Sequence, residues 1–231
     1  MHPMTNAMRW TCVLALVALS GCFSLNRGDP SQRHYVLGLG LEPAGTEGTG
    51  PTGEVSGVTI GLRAPRLAEY LGTPLIVVRQ GPHRIEFSEF HRWGETLDQG
   101  INRTIAGYMA GRGLFRSVEY APWPARSEQD YVVQLRILRF EGLAPDGPAA
   151  TEGEALLLAS WEILRAKDGA LLARGTTEYH GEGWTVGDYD ALVSLLEAGL
   201  SELADDLVAG LERVITPLER AAPRESEKRD E

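Results

Sequence analysis

The sequence predicts an α+β fold, a mainly antiparallel or mixed sheet of about 6–8 strands with two long amphipathic helices packed on one face. Three observations lead there. Two stretches, beginning near Trp93 and Tyr189, repeat apolar residues every three or four positions. Short runs rich in Val, Ile, Leu and Tyr, bounded by Gly and Pro, recur through the rest of the chain. Two longer runs flank Lys167-Asp168-Gly169, a hairpin turn signal.

Taken in order, residues 34–41 (HYVLGLGL) read as a first strand after a polar tether at 22–33. Residues 42–57 are dense in Gly, Thr, Pro and Glu, which suits a flexible insert. A short strand at 58–62 and a turn or single helical turn at 65–71 come next. The β-branched run 74–79 (PLIVVR) forms a strand, Gly81-Pro82 turns the chain, and 84–87 return beside it. Trp93, Leu97, Ile101, Ile105, Tyr108 and Met109 mark the first helix, ending near Gly111 or Gly113. Residues 115–120 form a strand closed by Pro122 and Pro124. In 131–140, Val133, Leu135 and Ile137 alternate with Gln134 and Arg136, so one face is apolar and the other polar. The hairpin pairs 154–164 with 171–180. The second helix, 189–215, carries the stripe Leu192, Leu196, Leu200, Leu203, Leu207, Leu211 and Val214, with Asp188 as N-cap and Pro217 as its stop. Residues 219–231 are charged and poor in apolar side chains, as in disordered tails. No internal repeat or boundary divides 34–218, which reads as one domain.

Hydrophobic residues make up 43 % of the chain, enough for a true core. The formal net charge is −10, and an acidic surface repels phosphate backbones, which argues against nucleic-acid binding.

Arg9 is the one charged residue before Cys22, and residues 10–19 are almost wholly apolar. This stretch is too short to span a membrane, which takes roughly 20 residues, and has the layout of a signal peptide covering 1–21. Met1, Met4 and Met8 are alternative starts. Leu19-Ser20-Gly21-Cys22 resembles the lipobox of bacterial lipoproteins. Small Ser20 and Gly21 let an extended backbone enter the peptidase, and the Cys22 thiol takes the diacylglycerol. No cofactor beyond this covalent N-acyl diacylglycerol is expected. Cys12 is lost with the leader, so the mature chain keeps one thiol and forms no internal disulfide. Two or more acyl chains hold a protein firmly on its membrane. Phe23, rather than Asp, follows the cysteine, which by the enteric sorting rule favours the outer membrane, facing the periplasm.

The stretch PRLAEYLGTPLIVVRQGPHRIEFSEFHRWGETLDQGINRTIAGYM resembles the ABC-type transport auxiliary lipoproteins, the PqiC-like family. Its centre is Glu89-Phe90-His91-Arg92-Trp93, followed by Leu97-Asp98 and Ile101. Asp130-Tyr131, Leu138-Arg139-Phe140-Glu141-Gly142, Trp161 and Gly187-Asp188-Tyr189 are similar to later motifs of that family. The resemblance implies a non-enzymatic accessory component of an MCE-type intermembrane lipid transport system that maintains envelope integrity, working beside an MCE-domain protein. Homo-oligomerisation is left open. The second reading is a periplasmic lipoprotein that regulates another envelope machine, such as a cell-wall synthase.

Little in the chain points to catalysis. No H-x-x-x-H or H-E-x-x-H pair joins His34, His83, His91 and His180, which argues against zinc, and no G-x-S-x-G elbow is present. Glu86, Glu89 and His91 could suggest acid–base work, but suit better a polar junction before the helix. Asn102-Arg103-Thr104 has the glycosylation pattern but falls within the first helix. Phe90, Trp93 and Trp184 are candidate interface residues, because large rings among charges or on a glycine-rich loop are typical of binding hot spots. For both tryptophans the sequence leaves a core position equally open.

Overall fold

The computed structural model describes residues 31–40, 56–123, 127–147 and 151–221. The leader with Leu19, Ser20, Gly21 and Cys22, most of the insert at 42–57, and the tail beyond 221 lie outside the described residues.

Among the described residues nine strands form one mixed sheet: β1 (Arg33–Tyr35), β2 (Ser56–Leu62), β3 (Arg66–Leu67), β4 (Leu75–Gln80), β5 (Arg84–Trp93), β6 (Phe115–Tyr120), β7 (Tyr131–Ala144), β8 (Glu152–Arg165) and β9 (Leu171–Thr185). The helices are α1 (Leu97–Gly111) and α2 (Tyr189–Ala221). The spine is β7, which at about 3.3 Å per residue is long enough to carry several short partners in series. Along one edge it pairs in parallel with β2, then β3, then β4, through Ile60↔Tyr131, Arg66↔Arg136 and Val78↔Gly142. Along the other edge runs β8, antiparallel, and β9 is antiparallel to β8. At the flanks β6 lies parallel to β2, β5 antiparallel to β4, and β1 parallel to β5.

Both helices cover one face. The α2 helix lies over β8 and β9, while α1 packs on β6 and α2. The stripe holds: Leu192, Leu196, Leu200, Leu203, Leu207 and Leu211 are fully buried against Leu157, Ala159, Trp161 and Ile163 of β8, within one continuous core. Each such leucine contributes about 1.5–3 kcal/mol relative to an exposed one. Asp188 caps α2, its carboxylate accepting from the Ala191 N–H at 3.1 Å.

Several boundaries differ from the sequence reading. The first strand stops at Tyr35, because Gly38 adopts φ +68° and turns the chain while Leu37 tucks into the core. The 65–71 segment holds both the two-residue β3 and a 3-10 turn at Glu69–Leu71. The return strand does not end at residue 87: β5 continues to Trp93, which closes the strand rather than opening the helix. Nor does Pro217 end α2, which continues to Ala221. A proline has a helical φ, so a helix can pass through it, at the cost of one backbone bond and of crowding between its ring and the carbonyl four residues back.

Candidate functional site

The segments singled out by sequence meet at one corner, where the chain enters the domain from the tether. β1 pairs with the end of β5, placing Arg33 beside His91 and Tyr35 beside Trp93. The Tyr35 hydroxyl lies 2.9 Å from His91 Nδ1, and the His91 ring stacks on Tyr189 of α2 with centroids 3.9 Å apart. Arg33 approaches Asp190 at 3.8 Å. Just beyond, the Arg103 guanidinium of α1 donates to the Leu37 carbonyl at 2.7 Å and to both oxygens of Glu95 at 2.5 and 2.6 Å. The Gly38 N–H donates to Glu197 of α2 at 2.5 Å. Strand β5 and both helices therefore clasp residues 33–38.

Burial lowers the His91 pKa, Arg33 lowers it further, and Asp190 opposes them. Burial also raises that of Tyr35, with Asp190 adding to it. Glu86 pairs at 3.8 Å with Arg84, and His91 turns to Tyr35, so Glu86, Glu89 and His91 do not assemble as an acid–base group. Among the described residues no group of three or more His, Cys, Asp or Glu side chains could hold a metal ion.

Of the three candidate interface residues, two are core. Trp93 is 6 % exposed and packs near Phe140, with ring centroids 5.8 Å apart. Trp184 is fully buried; its Nε1–H donates to the Asp188 carbonyl at 2.8 Å and its ring lies over Gly142, where a Cβ would come within 2.6 Å. The glycines that make room for the ring are Gly142 and Gly153 on the neighbouring strands, not Gly181, Gly183 or Gly187 beside it in sequence, and Trp184 lies within β9 rather than on a loop. Phe90 differs. Between the pairs Leu75↔Arg92 and Val77↔Phe87, β4 advances two residues and β5 five, so residues 88–91 bulge from the ladder. Phe90 lies on this bulge at 39 % exposure, and Phe87 beside it at 43 %. The sequence reading named Phe90 but missed Phe87, whose alternating strand context resembles that of a core residue.

A second pair the sequence reading did not single out is Arg79 with Glu141. Glu141 is fully buried and accepts from Arg79 Nε at 2.6 Å and Nη2 at 3.3 Å. Tyr70 covers the guanidinium at 5.9 Å, and its own pKa is pushed up to about 12, first by burial and then by Glu141.

Residues 33–38 are thus held in an α+β core, with exposed rings on an irregular strand nearby. A model of the family described as the ABC-type transport auxiliary lipoprotein component matches residues 35–208, and the chain belongs to that family. Among solved structures it is similar to protein XCC0632 from Xanthomonas campestris, with 16 % identity over 74 % of this chain and 93 % of that one, at a TM-score of 0.60. An uncharacterized protein is similar at 15 % identity over 78 % and 99 %, with a TM-score of 0.59. At these identities the likeness is one of fold. No curated protein matches the chain.

Proposed function

We propose that the protein is a lipid-anchored, non-enzymatic auxiliary subunit of an MCE-type system that moves lipids between the membranes of the cell envelope. The observation that carries this reading is the clasp on residues 33–38 in a member of an auxiliary lipoprotein family. An acyl group on Cys22 holds the mature chain on the membrane, and eleven residues then lead to Arg33. At full extension they span no more than about 40 Å, so the domain stays near its membrane. Phe23 favours the outer membrane as that site. The bulge bearing Phe90, with Phe87 exposed beside it, is the surface offered to the partner, an MCE-domain protein.

Co-purification from detergent extracts of the envelope tests this reading. The acylated protein should bring down an MCE-domain protein, and Phe90→Asp should reduce the yield while leaving the fold intact. Recovery of a peptidoglycan enzyme instead would favour the second reading, a regulator of cell-wall synthesis.

A further inference from the structure

The face of the sheet opposite the helices carries a cleft of about 870 Å³ that none of the features above uses. Its walls come from the connection after β2 and from β3, β7, β8 and β9. Ladder register orders the side chains in two rows. Arg66, Arg136, Ser160 and Thr176 follow one another across four neighbouring strands, and Gln134, Glu162 and Arg174 form the adjacent row. Arg63 stands at the rim.

Four arginines, Arg63, Arg66, Arg136 and Arg174, thus face one concavity against the single carboxylate of Glu162. All four are exposed. Among the described residues, none of them has an ion pair within 4.0 Å or a side-chain hydrogen bond. Seven other arginines, Arg33, Arg79, Arg84, Arg103, Arg112, Arg116 and Arg165, each lie within 4.0 Å of a carboxylate, whereas Arg92, Arg139 and Arg213, outside the cleft, also have no ion pair among the described residues. What sets the cleft apart is that four such arginines share one concavity. In a chain of net charge −10, partners are plentiful, yet here they are withheld. Moreover, Arg66 and Arg136 are direct cross-strand partners, and like charges in that position destabilise a sheet. Such a pair becomes favourable once a compact anion sits between the guanidiniums.

We infer that this cleft binds a phosphate-bearing anion, with Arg66 and Arg136 as its central ligands and Arg63 and Arg174 flanking them. Guanidinium forks match the tetrahedral oxygens of phosphate in paired, charge-assisted hydrogen bonds. An excess of three positive charges suits a phosphoryl group better than a single carboxylate. Leu135 and Trp161 also border the cleft but both are buried, so apart from Ala64 the exposed side chains along it are polar or charged, which suits a headgroup or a soluble phosphate ester. The volume is that of a small-ligand site. The site rests on the cleft alone and stands apart from the transport reading.

The test is calorimetric titration of the full acylated chain in a non-ionic detergent, at ionic strength held constant with sodium chloride. One arm uses inorganic phosphate, the other dihexanoyl phosphatidylglycerol below its micellar concentration. Saturable one-to-one binding is expected in at least one arm, weakened roughly tenfold or more by Arg66→Gln and by Arg136→Gln, and unchanged by Arg139→Gln outside the cleft. Tighter binding of the phospholipid assigns the site to a headgroup, and tighter binding of phosphate to a soluble ester. Without ligand, Arg136→Gln should keep or raise the Tm, since it removes the repulsion from Arg66. No saturable binding in either arm, equal binding by the cleft variants, or a lowered Tm for Arg136→Gln would overturn the proposal.

Discussion

At the scale of single residues, the fold depends on a few buried polar contacts that its hydrophobic pattern does not announce. Glu141 has no exposed side-chain surface, and Arg79 is its ion-pair partner. Removing one member of a buried pair strands the other charge, at a cost of about 3–5 kcal/mol, whereas replacing both with apolar groups can be nearly neutral. Arg79→Met should therefore lower the urea midpoint sharply, and adding Glu141→Leu should restore much of it. Trp184 fills the space over Gly142 and bonds the Asp188 carbonyl. Trp184→Ala should cost about 3–5 kcal/mol in chemical denaturation. His91 brings a pH dependence. Its pKa in the folded chain lies below the ordinary value of 6.5, so the unfolded chain takes up this proton first as pH falls. The contribution of His91 is intact above that value and is lost as pH drops through it. Urea midpoints measured at about pH 7.5 and 5.5 should fall less for His91→Phe, which keeps a ring against Tyr189, than for the parent. Burial is what the sequence left open at this scale. Trp93 and Trp184 stand among charges and glycines just as exposed rings do, and only the partner across the fold, Phe140 or Gly142, separates the two cases.

Elements were far more legible, and the reason is periodicity. The α2 leucine stripe repeats over about five turns, and the Lys167-Asp168-Gly169 turn fixes the β8–β9 pairing, so both could be drawn from the chain alone. The strand β5 could not. Its bulge at 88–91 breaks the alternation, and helical spacing from Trp93 onward drew the helix start forward to a residue that ends a strand. Two-residue β3 is held by its pairing to β7, with Arg66 opposite Arg136, and carries no local signal of its own. The clasp on the tether is likewise non-local, joining Leu37 to Arg103 and Gly38 to Glu197. Arg103→Met would leave the Leu37 carbonyl and Glu95 without this partner. Hydrogen exchange at the amides of residues 33–38 should then speed up, while exchange in β7 and β8 stays slow. Equal exchange in the variant and the parent would show that Arg103 does not hold this segment in place.

Across the whole molecule, one sheet keeps its tasks apart. Helices bury one face, the tether is clasped at one corner, the ring-bearing bulge projects from β5, and the arginine cleft opens on the polar face. Family membership follows from the match over residues 35–208, while the transport role and the partner are the reading offered for it. Cross-linking from a photoreactive amino acid at position 90 in the acylated chain, within intact envelopes, tests that reading most directly. The account predicts a cross-link to an MCE-domain protein, lost when the reactive group is moved to buried position 184. Capture of a cell-wall enzyme, or of no other chain, would contradict it.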